Sequence, residues 1–129
     1  MEKGLKVIVD TDILIKAYCG DNQKILNLHS LKSSYGVSVV TAIELIAGAK
    51  NIKQLSSLNK VLKVYPIFYI SEVISKESFQ LYKKYILKFP LGLSDCFIAS
   101  TALYHDLLVY TDNKKHYDFI EGLKFDREK

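Results

Sequence analysis

The sequence predicts an α/β fold built around a mainly parallel sheet. Three short apolar runs, rich in β-branched residues, are separated by segments in which apolar residues recur at helical spacing. Continuous apolar runs are typical of strands that are buried on both faces, as the strands of parallel sheets are. Strands and helices alternate along the chain, and this alternation indicates the α/β class.

The predicted strands are short. The three apolar runs that predict them are residues 5–9, residues 37–40 and residues 107–110. The first run ends abruptly at Asp10, and the second follows Gly36. Residues 67–69 predict a further strand, which the preceding Pro66 makes an edge strand or a bend, because proline cannot donate to a sheet ladder.

The segments between the strands show helical periodicity. They predict helices at residues 13–18, 25–31, 55–62, 71–88 and 94–104, with a further helix following Thr41. The helix at residues 71–88 stops before Pro90, as helices tend to. The helix that starts at Ser94 is apolar nearly all round, so we expect it to be buried.

Length and composition indicate one ordinary globular domain covering residues 1–129. The chain is 49% hydrophobic and 25% charged, and it has no repeat or low-complexity segment. Cys19 and Cys96 lack metal-binding spacing, which favours a reducing cytoplasm over a disulfide framework or a zinc site. The sequence has no signal-peptide core and no apolar run of about 18 residues, so we expect neither export nor a membrane span.

Four acidic residues are expected to meet at one edge of the sheet. Asp10 ends the first strand, Glu44 follows the second, and Asp112 follows the third. Asp95 opens the buried helix and can reach the same edge. Ligands of open parallel sheets bind beyond the carboxyl ends of the strands, which is where these four side chains would lie.

This set of carboxylates predicts a metal site with hydrolytic chemistry. Carboxylates at one edge repel each other unless cations lie between them, and hard oxygen ligands suit Mg²⁺ or Mn²⁺. Asp10, Asp95 and Asp112 are the predicted metal ligands, and Glu44 completes the predicted catalytic set. Such ions polarise a phosphodiester and activate water. The sequence offers no convincing Ser/His/Asp or Cys/His arrangement that would favour a different chemistry.

Glu44 also has a structural interpretation. Residues 41–44 match a capping box, in which Thr41 caps a helix and Glu44 bonds back to the Thr41 amide. The two interpretations are compatible, because the first turn of a helix after a strand also suits a metal-facing carboxylate.

The other acids have structural alternatives as well. Ser94 is a candidate N-cap of the buried helix, and Asp95 is favourable against the dipole of that helix. Asp12 is interpreted as the cap of the first helix. Turn chemistry explains Asp112 and the neighbouring Asn113 equally well. The set of acids, rather than any one of them, favours a functional site.

The charge balance gives weak support for a polyanionic partner. The chain has a net charge of +4 and a sequence pI near 8.9. With the four predicted site acids set aside, 18 basic residues face 10 acidic ones. An acidic centre on a basic body suits a nuclease, which attracts a phosphate backbone and holds cations at the reaction centre. A basic solvated surface without a partner is the alternative.

Four short motifs follow one another along the chain. They are VIVDTD at residues 7–12, TAIEL at 41–45, LSDCFIA at 93–99 and YTDNKKHY at 110–117. Together they resemble the motifs of the PIN-domain nucleases, in particular the VapC-like toxins of prokaryotic toxin–antitoxin pairs. They occur in the order and at the usual spacings of that family and span nearly the whole chain.

The resemblance implies a three-layer α/β/α domain that cleaves RNA with Mg²⁺ or Mn²⁺. Asp10, Glu44 and Asp95 fall on the family's acidic positions. Thr11 falls on its common hydroxyl position, where it would hold the first-strand aspartate or a water molecule at the metal.

The fourth acidic position is shared between two neighbours. In this family the acid often lies two residues after a threonine, which is Asn113 when Thr111 is that threonine, and Asp112 lies one position back. Asparagine also occurs there in the family. The resemblance therefore leaves Asp112 or Asn113 as the fourth site residue, with Thr111 as a supporting polar group. Lys114 and Lys115 follow this turn and are expected to contact RNA.

The resemblance also implies partners. Toxins of this kind form homodimers and are blocked by a small antitoxin protein, whereas other PIN proteins are stand-alone RNA-processing nucleases. A PIN-fold binding module without catalysis is a further alternative. Residues 10–12 also resemble the opening motif of haloacid-dehalogenase-like phosphatases, but Ile13 departs from the pattern of that family.

Overall fold

The computed structural model describes residues 6–30 and 34–126 of the chain. This part of the chain contains five strands: β1 Val7–Val9, β2 Tyr35–Ser38, β3 Ile67–Phe68, β4 Leu108–Tyr110 and β5 Lys124–Phe125. They form a single sheet with the order β3-β2-β1-β4-β5, and every neighbouring pair is parallel. The predicted α/β class with a parallel central sheet is confirmed.

Helices cover both faces of the sheet. In chain order they are α1 Thr11–Tyr18, α2 Asn22–Ser30, α3 Val39–Ala47, α4 Ile52–Leu62, α5 Glu72–Tyr85 and α6 Leu93–His105, followed by a short 3₁₀ helix at Lys114–His116. Each helix predicted from the sequence corresponds to one of α1 to α6. Within residues 6–30 and 34–126, no helix is both long and apolar enough to cross a membrane.

The two faces of β1 explain why the domain has three layers. Val7 and Val9 lie in a core shared with α1 to α4, whereas Ile8 lies in a second core shared with α5 and α6. All three side chains are 4% exposed or less. The strand is therefore buried on both faces, as its unbroken apolar run predicts, and the α/β/α arrangement is confirmed.

β1 lies at the centre of the sheet, and its end lies beside the ends of its neighbours. Val7 pairs with Tyr35 of β2, and Val9 pairs with Tyr110 of β4. The backbone N–H of Asp10 donates to the carbonyl oxygen of Tyr110 at 2.9 Å, so the ladder continues one residue beyond β1. The residues that follow β1, β2 and β4 therefore share one edge of the sheet.

The start of α3 differs from the prediction. β2 ends at Ser38, whose hydroxyl oxygen accepts a hydrogen bond from the Val40 amide at 3.1 Å and caps α3. Val39 and Val40 therefore belong to the helix, although their apolar character suggested a longer strand. The predicted capping box of Thr41 and Glu44 is wrong, because the helix has already begun at its Ser38 cap.

Two further caps differ from the prediction. Gly92 is the N-cap of α6, and Ser94 lies inside that helix. Asp10 is the N-cap of α1, so Asp12 lies in the first turn of the helix. The assignments of Ser94 and Asp12 as caps are therefore wrong, and both side chains make contacts with distant parts of the chain.

The outer strands of the sheet were the hardest to predict. β3 is an edge strand, as Pro66 favoured, and the carbonyl oxygen of Pro66 accepts a hydrogen bond from the Val37 amide at 3.0 Å. β5 was not predicted, because its two residues form no apolar run. Leu5 and Leu31 belong to predicted elements and lie outside the described residues.

An ion-pair cluster anchors the turn that follows β4. The Asp112 carboxylate accepts hydrogen bonds from the ammonium groups of Lys16, at 2.5 Å, and Lys24, at 2.8 Å. Lys24 is only 5% exposed. Burial alone would raise the pKa of Asp112, but the hydrogen bonds from Lys16 and Lys24 outweigh burial and lower that pKa. The charged form of Asp112 therefore stabilises the folded state and ties α1 and α2 to this turn.

Replacing the buried lysine should destabilise the fold. Lys24→Met keeps the length of the side chain but leaves Asp112 with the exposed Lys16 alone, so we expect the free energy of unfolding to fall by about 1–3 kcal/mol. Because the folded-state pKa of Asp112 is lowered, this loss is complete above the unfolded pKa of about 3.9. It disappears as the pH falls through the folded pKa. Urea unfolding from neutral to acid pH measures it.

The matched control is Lys76→Met. Lys76 pairs with Glu72 on the surface of α5, where the two side chains are 75% and 81% exposed. Surface ion pairs of this kind contribute little to stability, so the control should unfold at nearly the wild-type urea concentration. Equal destabilisation by the two substitutions would show that the buried position of Lys24 is unimportant.

Candidate active site

Asp10 lies at the centre of the site, directly after β1. It is 6% exposed. Its Oδ1 accepts a hydrogen bond from the backbone N–H of Thr11, and its Oδ2 accepts one from the Thr111 hydroxyl, both at 2.8 Å. Thr111 directly follows β4, so residues at the ends of two neighbouring strands hold this carboxylate. The Thr111 hydroxyl oxygen also accepts a hydrogen bond from the backbone N–H of Asn113 at 3.0 Å.

Glu44 is held by hydroxyl groups from two other helices. Its Oε1 accepts a hydrogen bond from the Thr11 hydroxyl, and its Oε2 accepts one from the Ser94 hydroxyl, both at 2.7 Å. The hydroxyl of Thr41, which is fully buried, lies 3.0 Å from that of Thr11. α1, α3 and α6 are thus joined at Glu44. The Thr11 side chain holds Glu44, while its backbone amide holds Asp10.

Asp95 lies in the first turn of α6 and is half-buried. Its Oδ1 accepts a hydrogen bond from the Tyr117 hydroxyl at 3.1 Å. Its Oδ2 lies 3.6 Å from Nδ1 of His116. Gly92 is close by, and a Cβ atom at that position would lie in ordinary van der Waals contact with the same oxygen, at 3.4 Å.

Asp12 is a fourth carboxylate at this edge of the sheet. Its Oδ2 accepts hydrogen bonds from the side-chain amide of Asn113 at 2.8 Å and from the backbone N–H of Asp112 at 3.2 Å. Its Oδ1 is buried and has no hydrogen-bond partner within the described residues. Asp12 therefore carries an unsatisfied charged oxygen beside Asp10.

The two residues that the sequence left open for the fourth position lie in different surroundings. The Asp112 carboxylate is bound by Lys16 and Lys24, so only its backbone N–H reaches the acids. Asn113 directs its side-chain amide to Asp12. Asp12 is thus the acid that lies with Asp10, Glu44 and Asp95. The Asp112 side chain is bound by the two lysines instead.

Burial and mutual repulsion raise the pKa of three of these carboxyl groups. Burial contributes most to the raised pKa of Asp10, and the nearby charge of Asp95 raises it further. Burial, followed by the charge of Asp10, raises the pKa of Asp12 to about 6. Burial also raises the pKa of Asp95, to which Glu44 and Asp12 add. The four acids therefore lie within electrostatic reach of one another.

The carboxylate groups of this site suit a hard divalent cation. Within residues 6–30 and 34–126, no three or more His, Cys, Asp or Glu side chains converge as a metal site. Asp10, Asp12 and Asp95 each accept hydrogen bonds from different donors. The available ligands are nevertheless carboxylate oxygens, which Mg²⁺ and Mn²⁺ prefer. A cation would also satisfy the buried Asp12 oxygen, which costs free energy while it is unpaired. Asp10, Asp12 and Asp95 are the residues suited to hold such an ion.

Three contributors to this region were not recognised in the sequence. Asp12 was interpreted as a helix cap and so was not predicted as a site residue. Its position two residues after Asp10 was the feature that could have indicated it. Lys24 lies four residues before the buried Leu28, which places it on the buried face of α2. Tyr117 closes the fourth motif, but its residue type alone does not distinguish it from an ordinary core aromatic residue.

The two lysines expected to contact RNA belong to the segment that joins two residues of the site. Lys114 and Lys115 are exposed and belong to the short 3₁₀ helix. This helix joins Asn113, which contacts Asp12, to Tyr117, which contacts Asp95. The Lys114 ammonium lies over the Phe125 ring, 5.9 Å from its centroid.

The chain has relatives in sequence. A PIN domain family model matches residues 7–121. The chain is 35% identical over 125 residues to the protein named ribonuclease VapC1 from Methanocaldococcus jannaschii, and this match covers 92% of the chain and 85% of the relative.

Solved structures with the same fold extend this comparison. A toxin–antitoxin complex from Klebsiella pneumoniae contains a chain that is 29% identical, with a TM-score of 0.79 and coverage of 96% of this chain and 100% of that one. A DNA-bound VapBC structure from Salmonella typhimurium matches with a TM-score of 0.84, covering 95% and 97% of the two chains. At 22% identity, the second likeness shows the fold alone. The family match over most of the chain shows that it belongs to the PIN-domain family.

Proposed function

We propose that this protein is a metal-dependent endoribonuclease that hydrolyses RNA phosphodiesters. The observation that carries the proposal is the group of four carboxylates at the carboxyl edge of the sheet, with a buried Asp12 oxygen that has no hydrogen-bond partner within the described residues. Membership of the PIN-domain family and similarity to a ribonuclease support the same chemistry. The family match also counts against the phosphatase alternative.

The buried and exposed acids are proposed to have different roles. Asp10, Asp12 and Asp95 are buried or half-buried and would hold Mg²⁺ or Mn²⁺. When bound, the ion supplies polarisation of the phosphodiester and activation of water. Glu44 is exposed, and hydrogen bonds from Thr11 and Ser94 fix its orientation. A carboxylate in this position can orient the attacking water molecule and accept its proton.

Hydroxyl and amide donors support these roles. Thr111 holds Asp10, and Asn113 holds Asp12, so the turn after β4 fixes two of the proposed ligands. Such outer contacts orient metal ligands and tune their basicity. Lys114 and Lys115, which are exposed in the same segment, would attract the RNA backbone through its phosphate charges.

We also propose that the protein is the toxin of a toxin–antitoxin pair. Its similarity to a chain of a toxin–antitoxin complex, at 29% identity over nearly its whole length, supports this role. The proposal includes a single domain over residues 1–129, a homodimer, a small antitoxin protein as partner and a cytoplasmic location. A stand-alone RNA-processing nuclease would use the same site on a different RNA.

Cleavage of RNA should require both the metal and Asp10. Wild-type protein is expected to cut single-stranded fluorescent RNAs with Mn²⁺ or Mg²⁺ and to stop when EDTA is added. Asp10→Asn removes a ligand charge, so its cleavage rate should fall by more than the roughly 10–100-fold typical of an outer-contact change. Gel analysis of the cleaved fragments measures the rates.

Asp106→Asn is the matched control for this assay. Asp106 is exposed and precedes β4, at the opposite edge of the sheet from the acids. Its φ of 55° lies in the left-handed region, which asparagine also adopts readily. The control should cleave RNA at the wild-type rate. Cleavage that persists in EDTA, or in Asp10→Asn, would contradict the proposed function.

Asp12 and Asp112 can be separated by their response to metal. At a Mn²⁺ concentration about 100 times its dissociation constant, we expect wild-type protein to gain about 2.7 kcal/mol in unfolding free energy. Asp112→Asn should keep this gain although it starts from a lower stability, because it loses only its pairing with Lys16 and Lys24. Asp12→Asn should lose most of the gain. Chemical unfolding with and without Mn²⁺ measures both.

The metal-free proteins provide an internal control. Asp12→Asn removes one charge from a group of mutually repelling carboxylates, so its stability without metal should not fall below that of the wild type. The opposite pattern, with the gain lost in Asp112→Asn and kept in Asp12→Asn, would assign the fourth ligand to Asp112.

A further inference from the structure

Tyr117 brings a hydroxyl group into the middle of the acidic site from within the core. The residue is 0% exposed and lies in the core shared with α5 and α6. Its ring meets that of Phe125 edge to face, with the ring centroids 6.4 Å apart. Its hydroxyl donates a hydrogen bond to Oδ1 of Asp95 at 3.1 Å.

Packing alone does not account for this hydroxyl. A phenylalanine would fill the same space among the apolar neighbours and would bury no polar atom. A buried hydroxyl is costly unless it is hydrogen-bonded. The group that accepts its hydrogen bond is the Asp95 carboxylate of α6, which is a proposed ligand of the ion.

The hydroxyl acts as a hydrogen-bond donor. A phenol has one hydrogen to donate, and the hydrogen-bond geometry directs it to Asp95. The proton of this buried hydroxyl therefore faces one oxygen of the Asp95 carboxylate.

The surrounding backbone fixes the position of this donor. Tyr117 closes the short 3₁₀ helix, and its amide donates to the carbonyl oxygen of Lys114 at 2.9 Å. Its own carbonyl oxygen accepts a hydrogen bond from the Ile120 amide, also at 2.9 Å. The preceding residue, His116, lies beside the other oxygen of Asp95. Two consecutive residues, His116 and Tyr117, therefore lie next to the two oxygens of the Asp95 carboxylate.

We propose that Tyr117 is a positioning residue of the metal site, whose buried hydroxyl orients the Asp95 carboxylate. The inference rests on the proposed function, because the ion is the group toward which these acids are oriented. Donors behind metal ligands typically contribute 10–100-fold to metal affinity. The hydroxyl of Tyr117 should therefore strengthen Mn²⁺ binding without itself contacting the ion.

The test compares Mn²⁺ binding by the full chain with and without this hydroxyl. The electron paramagnetic resonance signal of free Mn²⁺ decreases as the ion binds, and a titration gives the dissociation constant without any substrate. Tyr117→Phe is expected to raise that constant by about tenfold or more. The matched control is Tyr85→Phe, because Tyr85 is also buried but its hydroxyl oxygen accepts a hydrogen bond from the Glu121 amide. The control should bind Mn²⁺ within about twofold of the wild type.

A second pair of variants separates the hydrogen bond from packing. Replacing Tyr117 with 4-aminophenylalanine keeps a donor at the same place, and replacing it with 4-methylphenylalanine keeps the size without the donor. We expect the first to restore Mn²⁺ affinity and the second to resemble Tyr117→Phe. A merely structural role would lower the stability of these variants and leave their Mn²⁺ affinity unchanged. This pair also decides the question if Tyr117→Phe does not fold.

The outcomes distinguish this inference from the proposed function. Wild-type binding of Mn²⁺ with equal affinity in Tyr117→Phe would overturn the positioning role and leave the nuclease proposal standing. Equal weakening by Tyr117→Phe and Tyr85→Phe would also overturn it, because the effect would not be specific to the acids. Failure of the wild type to bind Mn²⁺ would overturn the proposed function and the inference together.

Discussion

The site depends on keeping like-charged carboxylates close together in a partly buried place. Burial raises the pKa of Asp10, Asp12 and Asp95, so gathering them costs free energy. The donors that reach these carboxylates are largely neutral hydroxyl and amide groups, while Lys16 and Lys24 are bonded to Asp112. Lys16 and Lys24 therefore do not neutralise these acids. This is the electrostatic condition for binding an external cation.

The parallel sheet places these carboxylates close together. Because β1 lies between β2 and β4, the chain leaves three adjacent strands at the same edge, and ligands bind at such edges in α/β folds. The early start of α3 at Val39 matters as much. It places Thr41 in the buried part of the helix and Glu44 three residues further on, so both meet the Thr11 hydroxyl. The Thr11 contacts with Thr41 and Glu44 therefore both hold α1 against α3 and orient a carboxylate of the site.

The sequence was sufficient for the layers of the fold and for three of the gathered acids. Apolar runs report burial on both faces of a strand, and the edge where parallel strands end follows from topology. Caps were not predictable, because a cap contributes only about 1 kcal/mol and distant contacts decide the role of residues such as Ser94. The pairing of Lys24 with Asp112 joins positions 88 residues apart, so no local pattern contains it.

Residues 111–117 show why a motif position does not fix the role of a side chain. Thr111 donates to Asp10, Asn113 to Asp12 and Tyr117 to Asp95, so one short segment supplies donors to three of the four acids. Asp112 lies within the same segment, yet its carboxylate is bonded to the lysines of α1 and α2. An ionic anchor at Asp112 and a site donor at Asn113 are therefore sequence neighbours with different roles. The hydrogen bonds of the neutral donors reach the acids, while the ion pairs join the same segment to α1 and α2.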